Sequence, residues 1–199
     1  GQNDTLKTTY FMLGQNETSM SAYTSAGDYA NVRLNSGTIT DLYMSSRQGT
    51  INNNVNLNMY GGKVTSLYGG ATKNKDVYTS LTIYGGKNSN IYGQGKNDET
   101  YIGCTNINLK GSANILASVY GGSYNTNIKG ETTISIQESA VINGNIYGGS
   151  YNNSGTEIIH KGKTSIILLG GTVHGKVYGG TNTTNTRTNN VSIELQGAK

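Results

Sequence analysis

The sequence predicts an all-β fold: a parallel, right-handed β-solenoid of about seven rungs, about 26 residues each, with three short strands per rung. Three observations predict it. An apolar residue recurs at Leu34, Met59, Ile83, Leu109, Ile136, Leu168 and Leu195, with spacings of 25, 24, 26, 27, 32 and 27. Two residues before each stands another, at Val32, Leu57, Leu81, Ile107, Ile134, Ile166 and Ile193. The composition suits short strands and tight turns, with 29 Gly, 15 Tyr and no Pro or Trp.

The first strand of each rung follows from the alternation, because side chains two apart share one face of a strand. A second strand carries an aliphatic residue followed by tyrosine: Leu42-Tyr43, Leu67-Tyr68, Ile91-Tyr92, Val119-Tyr120, Ile146-Tyr147 and Val177-Tyr178. Glycine follows the last five tyrosines, and is expected there to turn a corner through conformations other residues avoid. A third, weaker strand is read at Ile51, Val77, Ile102, Ile128 and Ile159. The long spacing between Ile136 and Leu168 places an extruded loop within Ser150–Lys163.

One rung cannot close a core alone, so rungs must stack and each position becomes a ladder along the axis. Residues 30–199 form the repeats, and residues 1–29 are either an N-terminal cap, with Leu6, Tyr10, Phe11, Met12 and Leu13 as its cluster, or an irregular first rung. A short helix is expected around residues 16–24. The whole is read as one structural domain cut from a longer protein.

With the anchors inward, the first strand turns Asn56, Asn58 and Tyr60 outward, then Ser80, Thr82 and Tyr84, then Asn106, Asn108 and Lys110. These amides and hydroxyls form a flat platform suited to a sugar chain or another regular polar surface, or they serve only to keep a solenoid soluble. Tyr43, Tyr68, Tyr92, Tyr120, Tyr147 and Tyr178 form one column. It lies either outside, as a sugar-stacking surface, or inside, as a core ladder. The candidate ligand-binding residues are therefore Tyr68, Tyr92, Tyr120, Tyr147, Tyr178, Asn56, Asn58, Tyr60, Thr82, Tyr84, Asn106 and Asn108.

Other chemistries find less support. The net charge of +4 comes from 15 basic and 11 acidic residues scattered along the chain, without the concentrated stripe that nucleic acid requires. No stretch has the apolar length of a membrane span. The acids do not recur in register as a glycosidase or lyase needs, and the adjacent pair Asp98/Glu99 reads as a solvated loop or a calcium site. His160, His174 and the single Cys104 fall in no metal-ligand spacing, so no cofactor, metal or catalytic residue is assigned. Cys104 is expected to be a small, partly buried filler.

The segments GGKVTSLYGG, VINGNIYGGS and GGTVHGKVYGG resemble the glycine-rich repeats of large secreted or wall-attached bacterial proteins, which look like β-solenoid adhesins and stalks. The resemblance implies an extracellular setting and a non-enzymatic role in attachment to a glycan or to a host or neighbour-cell protein, or in spacing as a stalk. A carbohydrate-active β-helix enzyme and an ice-binding solenoid are the alternatives. The latter is disfavoured by a face that mixes Tyr, Lys, Glu and Asn instead of repeating threonine. Unpaired strand edges at the ends would permit self-association.

Overall fold

The computed structural model describes residues 7–12, 29–44, 50–51, 54–70, 73–74, 78–96, 103–181 and 183–197. Every described element is a strand, and every strand pairing is parallel. The sheets stack into a β-solenoid of about five turns. Strands are numbered in chain order.

The first sheet runs β2 (Tyr29–Leu34), β5 (Asn54–Met59), β8 (Thr79–Ile83), β10 (Thr105–Leu109), β13 (Thr132–Ile136), β17 (Thr164–Leu168) and β21 (Val191–Leu195). Its register pairs every predicted anchor with the next, from Leu34 on Met59 through Leu168 on Leu195. The row two residues earlier pairs in the same way, from Val32 on Leu57 to Ile166 on Ile193. Between Leu57 and Ile166 these residues have no exposed surface, as alternation on a half-buried strand requires.

The second sheet begins with β1 (Lys7–Met12), β3 (Thr38–Tyr43), β6 (Lys63–Tyr68) and β9 (Lys87–Tyr92). Phe11 and Met12 pair with Leu42 and Tyr43, so the backbone of β1 occupies the same register as the aliphatic-Tyr strands. The expected helix around 16–24 lies outside the described residues.

Beyond β9 each second strand divides in two: β11 (Asn114–Ile115) and β12 (Val119–Tyr120), β14 (Val141–Ile142) and β15 (Ile146–Tyr147), β18 (Thr172–Val173) and β19 (Val177–Tyr178). The register explains the break. Two residues separate Asn88 from Ile91, whereas three separate their partners Ile115 and Val119. One extra residue makes a bulge, the ladder parts, and Leu116 is left 43% exposed.

The third face is short: β4 (Thr50–Ile51) pairs with β7 (Lys73–Asn74), and β16 (Ile158–His160) pairs with β20 (Thr186–Thr188). Here the structure corrects the predicted register. Ile51 pairs with Asn74, while Ile128 pairs with His160 and not with Ile159. The true inward positions are Ile158 and His160, both buried, while Ile159 between them is half-buried. Val77 and Ile102 lie outside the described residues. The additional residues of the long rung fall at 153–157, which are all exposed.

Two glycine positions follow different rules. At the corner between the first and second strands, Gly37, Gly62 and Gly86 have φ of 107°, 91° and 89°, a region that L side chains avoid. After the tyrosines the expected reason fails, because Gly69, Gly93, Gly121, Gly148 and Gly179 do not have positive φ. Their requirement is room. A Cβ on Gly148 would lie 2.0 Å from Thr164 Cγ2 and 2.2 Å from Gly179 O.

The core joins the apolar rows of the first and second sheets into one continuous cluster. Asn88 interrupts it, standing in register between Val64 and Ile115 with no exposed surface. Its Nδ2 reaches Met59 Sδ at 3.5 Å, and its Oδ1 has no hydrogen-bond partner.

Candidate functional site

The outer face of the first sheet carries two rows set by the strand register. One is Asn31, Asn56, Ser80, Asn106, Thr133, Ser165 and Ser192. The other is Arg33, Asn58, Thr82, Asn108, Ser135, Ile167 and Glu194. Asn56, Asn58, Asn106 and Asn108 are half-buried, and Thr82 is buried between its neighbours. Side chains bond along and across these rows. Asn56 Nδ2 donates to Asn31 Oδ1 at 3.0 Å, and Asn106 Nδ2 donates to Tyr78 Oη at 3.4 Å.

A third row lies just beyond the strand ends. Backbone hydrogen bonds from Tyr60 to Leu34, Tyr84 to Met59, Lys110 to Ile83 and Gln137 to Leu109 carry the ladder one residue further. Tyr60 is 46% exposed and Tyr84 37% exposed. Their rings stack with centroids 4.9 Å apart and planes within 3°. Arg33 covers the other face of Tyr60, its Cζ 4.6 Å from the ring centroid, while its Nε donates to Asn35 Oδ1 at 3.0 Å. Such stacking orders three long side chains in solvent.

The tyrosine column has the other fate. Tyr43, Tyr68, Tyr92, Tyr120, Tyr147 and Tyr178 pair in strict register. Successive rings stack 4.7 to 5.2 Å apart. Tyr43, Tyr68, Tyr92 and Tyr147 are buried, and Tyr120 and Tyr178 half-buried. They do not join the aliphatic core, however; Tyr43, Tyr68 and Tyr92 form a second cluster with Tyr120 packed against it.

After the glycines that follow Tyr92, Tyr120 and Tyr147 the chain places a further residue beside the column. Tyr124 meets Tyr92 edge-on at 5.4 Å, Tyr151 meets Tyr120 edge-on at 5.4 Å, and Lys96 Nζ lies 5.1 Å from the Tyr124 ring. Burial and the neighbouring Tyr147 push the Tyr120 hydroxyl up to about 12. Burial raises Tyr68 and Tyr92 further still.

For Tyr68, Tyr92, Tyr120 and Tyr147 the exposed alternative is therefore corrected, whereas Tyr178, last in the column, is half-buried with one ring face against Tyr147. From Tyr68 to Tyr147 both faces of every ring are taken by neighbouring tyrosines, so no pyranose can stack there. Tyr124 and Tyr151, which cover the column, were not singled out from the sequence. The signal was present as the repeated Tyr-Gly-Gly-Ser-Tyr-Asn at 120–125 and 147–152.

Beneath that motif lies a buried hydroxyl cluster. Ser123 Oγ donates to Thr126 O at 2.7 Å and lies 3.2 Å from Ser150 Oγ. Its hydrogen bonds tie one rung to the next.

Groups suited to catalysis or metal binding are separated. Among the described residues no three of His, Cys, Asp and Glu lie together. Glu157 pairs with Arg187 at 2.6 Å on the surface. Cys104, expected to be a partly buried filler, is exposed, because it precedes the inward Thr105 at a rung corner. Asp98 and Glu99 lie outside the described residues. His174 is exposed, and His160 is buried in the third face. Among the described residues no helix is long and apolar enough to cross a membrane.

No protein-family model matches the chain, and neither the curated proteins nor the solved structures contain a match.

Proposed function

We propose that this chain is a non-enzymatic attachment domain of a bacterial cell-surface or secreted protein, binding a glycan or a host or neighbour-cell protein through the outer face of its first sheet. The observation that carries the reading is the exposed, stacked Tyr60–Tyr84 pair beside the rows that contain Asn58, Thr82 and Asn108. Phenol hydroxyls and aromatic edges next to amides and hydroxyls offer both donors and acceptors at the strand spacing of about 4.8 Å. A partner with regularly spaced hydroxyls or a peptide backbone can meet them.

The glycine-rich repeats and their resemblance to bacterial surface proteins support an extracellular setting. The same reading includes seven rungs wound right-handedly. Seven strands in one parallel sheet and the strong right-handed bias of parallel crossovers support it.

A stalk that only sets distance is the second reading. The unbroken apolar rows of the first sheet favour it, since they make a stiff body whatever the surface binds.

Binding of the domain to a glycan array and to a panel of cell-surface proteins, beside a Tyr60→Ser/Tyr84→Ser variant, tests the proposal. Selective binding that the variant loses while keeping its circular dichroism supports attachment through this face. Binding by neither protein overturns it and leaves the stalk, and equal binding by both overturns attachment through this face.

A further inference from the structure

The tyrosine pair lies in a cluster of cations. Arg33 stacks on Tyr60, and Lys110 follows Tyr84 in the same backbone ladder. Across the corner, Lys63 and Lys87 open β6 and β9, each three residues after a tyrosine of the pair. These two lysines are direct register partners, and both are exposed. Like charges opposite one another in a ladder destabilise it. Among the described residues neither has a carboxylate partner; the ion pair found there is Arg187–Glu157, on another face. Glu138, at the corner after Lys110, is engaged by the Gly111 backbone N–H at 2.7 Å and bounds the patch.

We infer that this corner binds an acidic polysaccharide, a chain of hydroxylated sugars bearing carboxylates, along the solenoid axis. The inference rests on the attachment reading above and names its ligand class. Lysines and Arg33 supply the countercharge, Tyr60 and Tyr84 present ring edges and hydroxyls, and the neighbouring amide row meets sugar hydroxyls. From Arg33 to Lys110 the site spans three strand spacings, roughly 14 Å, enough for a few sugars.

The geometry disfavours nucleic acid. Single strands are held by bases stacking on free aromatic faces, yet Tyr60 has one face under Arg33 and the other against Tyr84. Four cations on one edge also make a weak track for a phosphate backbone.

The test measures binding of the intact chain to hyaluronan and polygalacturonate as carboxylated chains, to dextran as a neutral chain, and to a single-stranded oligonucleotide. The proteins compared are the native sequence, Lys63→Ala/Lys87→Ala and Lys63→Glu/Lys87→Glu. Both lysines are exposed, so melting of the variants no lower than that of the native chain serves as the folding control. The expected result is binding to a carboxylated chain and not to dextran. The alanine variant should bind about tenfold or more weakly at low salt, with the slope of log affinity against log salt reduced by roughly one to two. The glutamate variant should not bind.

Dextran binding equal to that of the acidic chains, unmoved by either variant, would overturn the acidic ligand and leave the attachment reading standing. Tighter binding to the oligonucleotide than to either acidic polysaccharide would replace the inference with a nucleic-acid patch. Failure to bind any of the three polysaccharides would overturn it as well, and the glycan array and protein panel would then decide the attachment reading separately.

Discussion

Acidification should loosen the third face through one side chain, His160. In β16 it stands in register between Ile128 and Thr188, with no exposed surface. Neither ring nitrogen makes a hydrogen bond of acceptable geometry. Burial lowers its pKa from 6.5 to about 4, the backbone of Gly130 offsetting part of the effect. Below 6.5 the unfolded chain takes up the proton first, so stability is lost as the pH falls from 6.5 towards 4 and levels off below. Each pKa unit is worth about 1.4 kcal/mol, which makes the full loss about 3 kcal/mol.

Because solenoids open locally, the assay is amide hydrogen exchange of β16 and β20 between pH 4.5 and 7, corrected for intrinsic rates, with urea unfolding alongside. A His160→Leu variant places an apolar group beside Ile128 and removes the titrating ring. Its protection should be flat across the range in which the native chain loses protection. An identical pH slope in both proteins would refute the argument.

Three further outcomes follow from the packing. Gly148→Ala should destabilise by about 3 kcal/mol or more, since its methyl would overlap Thr164 Cγ2 and the carbonyl of Gly179; a melting temperature within a degree or so of native would contradict the close-approach account. Asn88→Val should stabilise by about 1–2 kcal/mol by removing an unsatisfied carbonyl from an apolar row, as urea unfolding will report. Tyrosinate absorbance should show Tyr120 ionising near 12 and Tyr68 and Tyr92 higher. The unfolded chain ionises near 10, so stability should fall as the pH rises above about 10; a single step there containing every tyrosine would contradict the buried column.

The first-sheet ladders were legible in sequence because their cause is local and repeated. Alternation assigns each residue to one side of a strand, and a spacing near 26 sets which residue lies next to it. Leu34, Met59 and Ile83 had to fall in one row, and Asn58, Thr82 and Asn108 in another. The third face resisted the same reasoning. Its strands are two or three residues long, too short for alternation to distinguish Ile159 from its neighbours Ile158 and His160. The bulge at Leu116–Ser118 was hidden too, since one extra residue leaves the motif intact while parting the ladder.

The sequence by itself determined the repeat, the parallel stacking of its aliphatic rows and the tyrosine column as a column. Only the tertiary structure decided which tyrosines meet solvent. The inward Leu67 and Ile91 turn the adjacent Tyr68 and Tyr92 to the outer side of their strands, but an outer side is exposed only where nothing crosses it. The path after Tyr-Gly-Gly brings Tyr124 and Tyr151 over that side and buries the column. No described side chain closes over Tyr60 and Tyr84 in the same way. The difference depends on contacts between residues of different rungs, which no local pattern encodes.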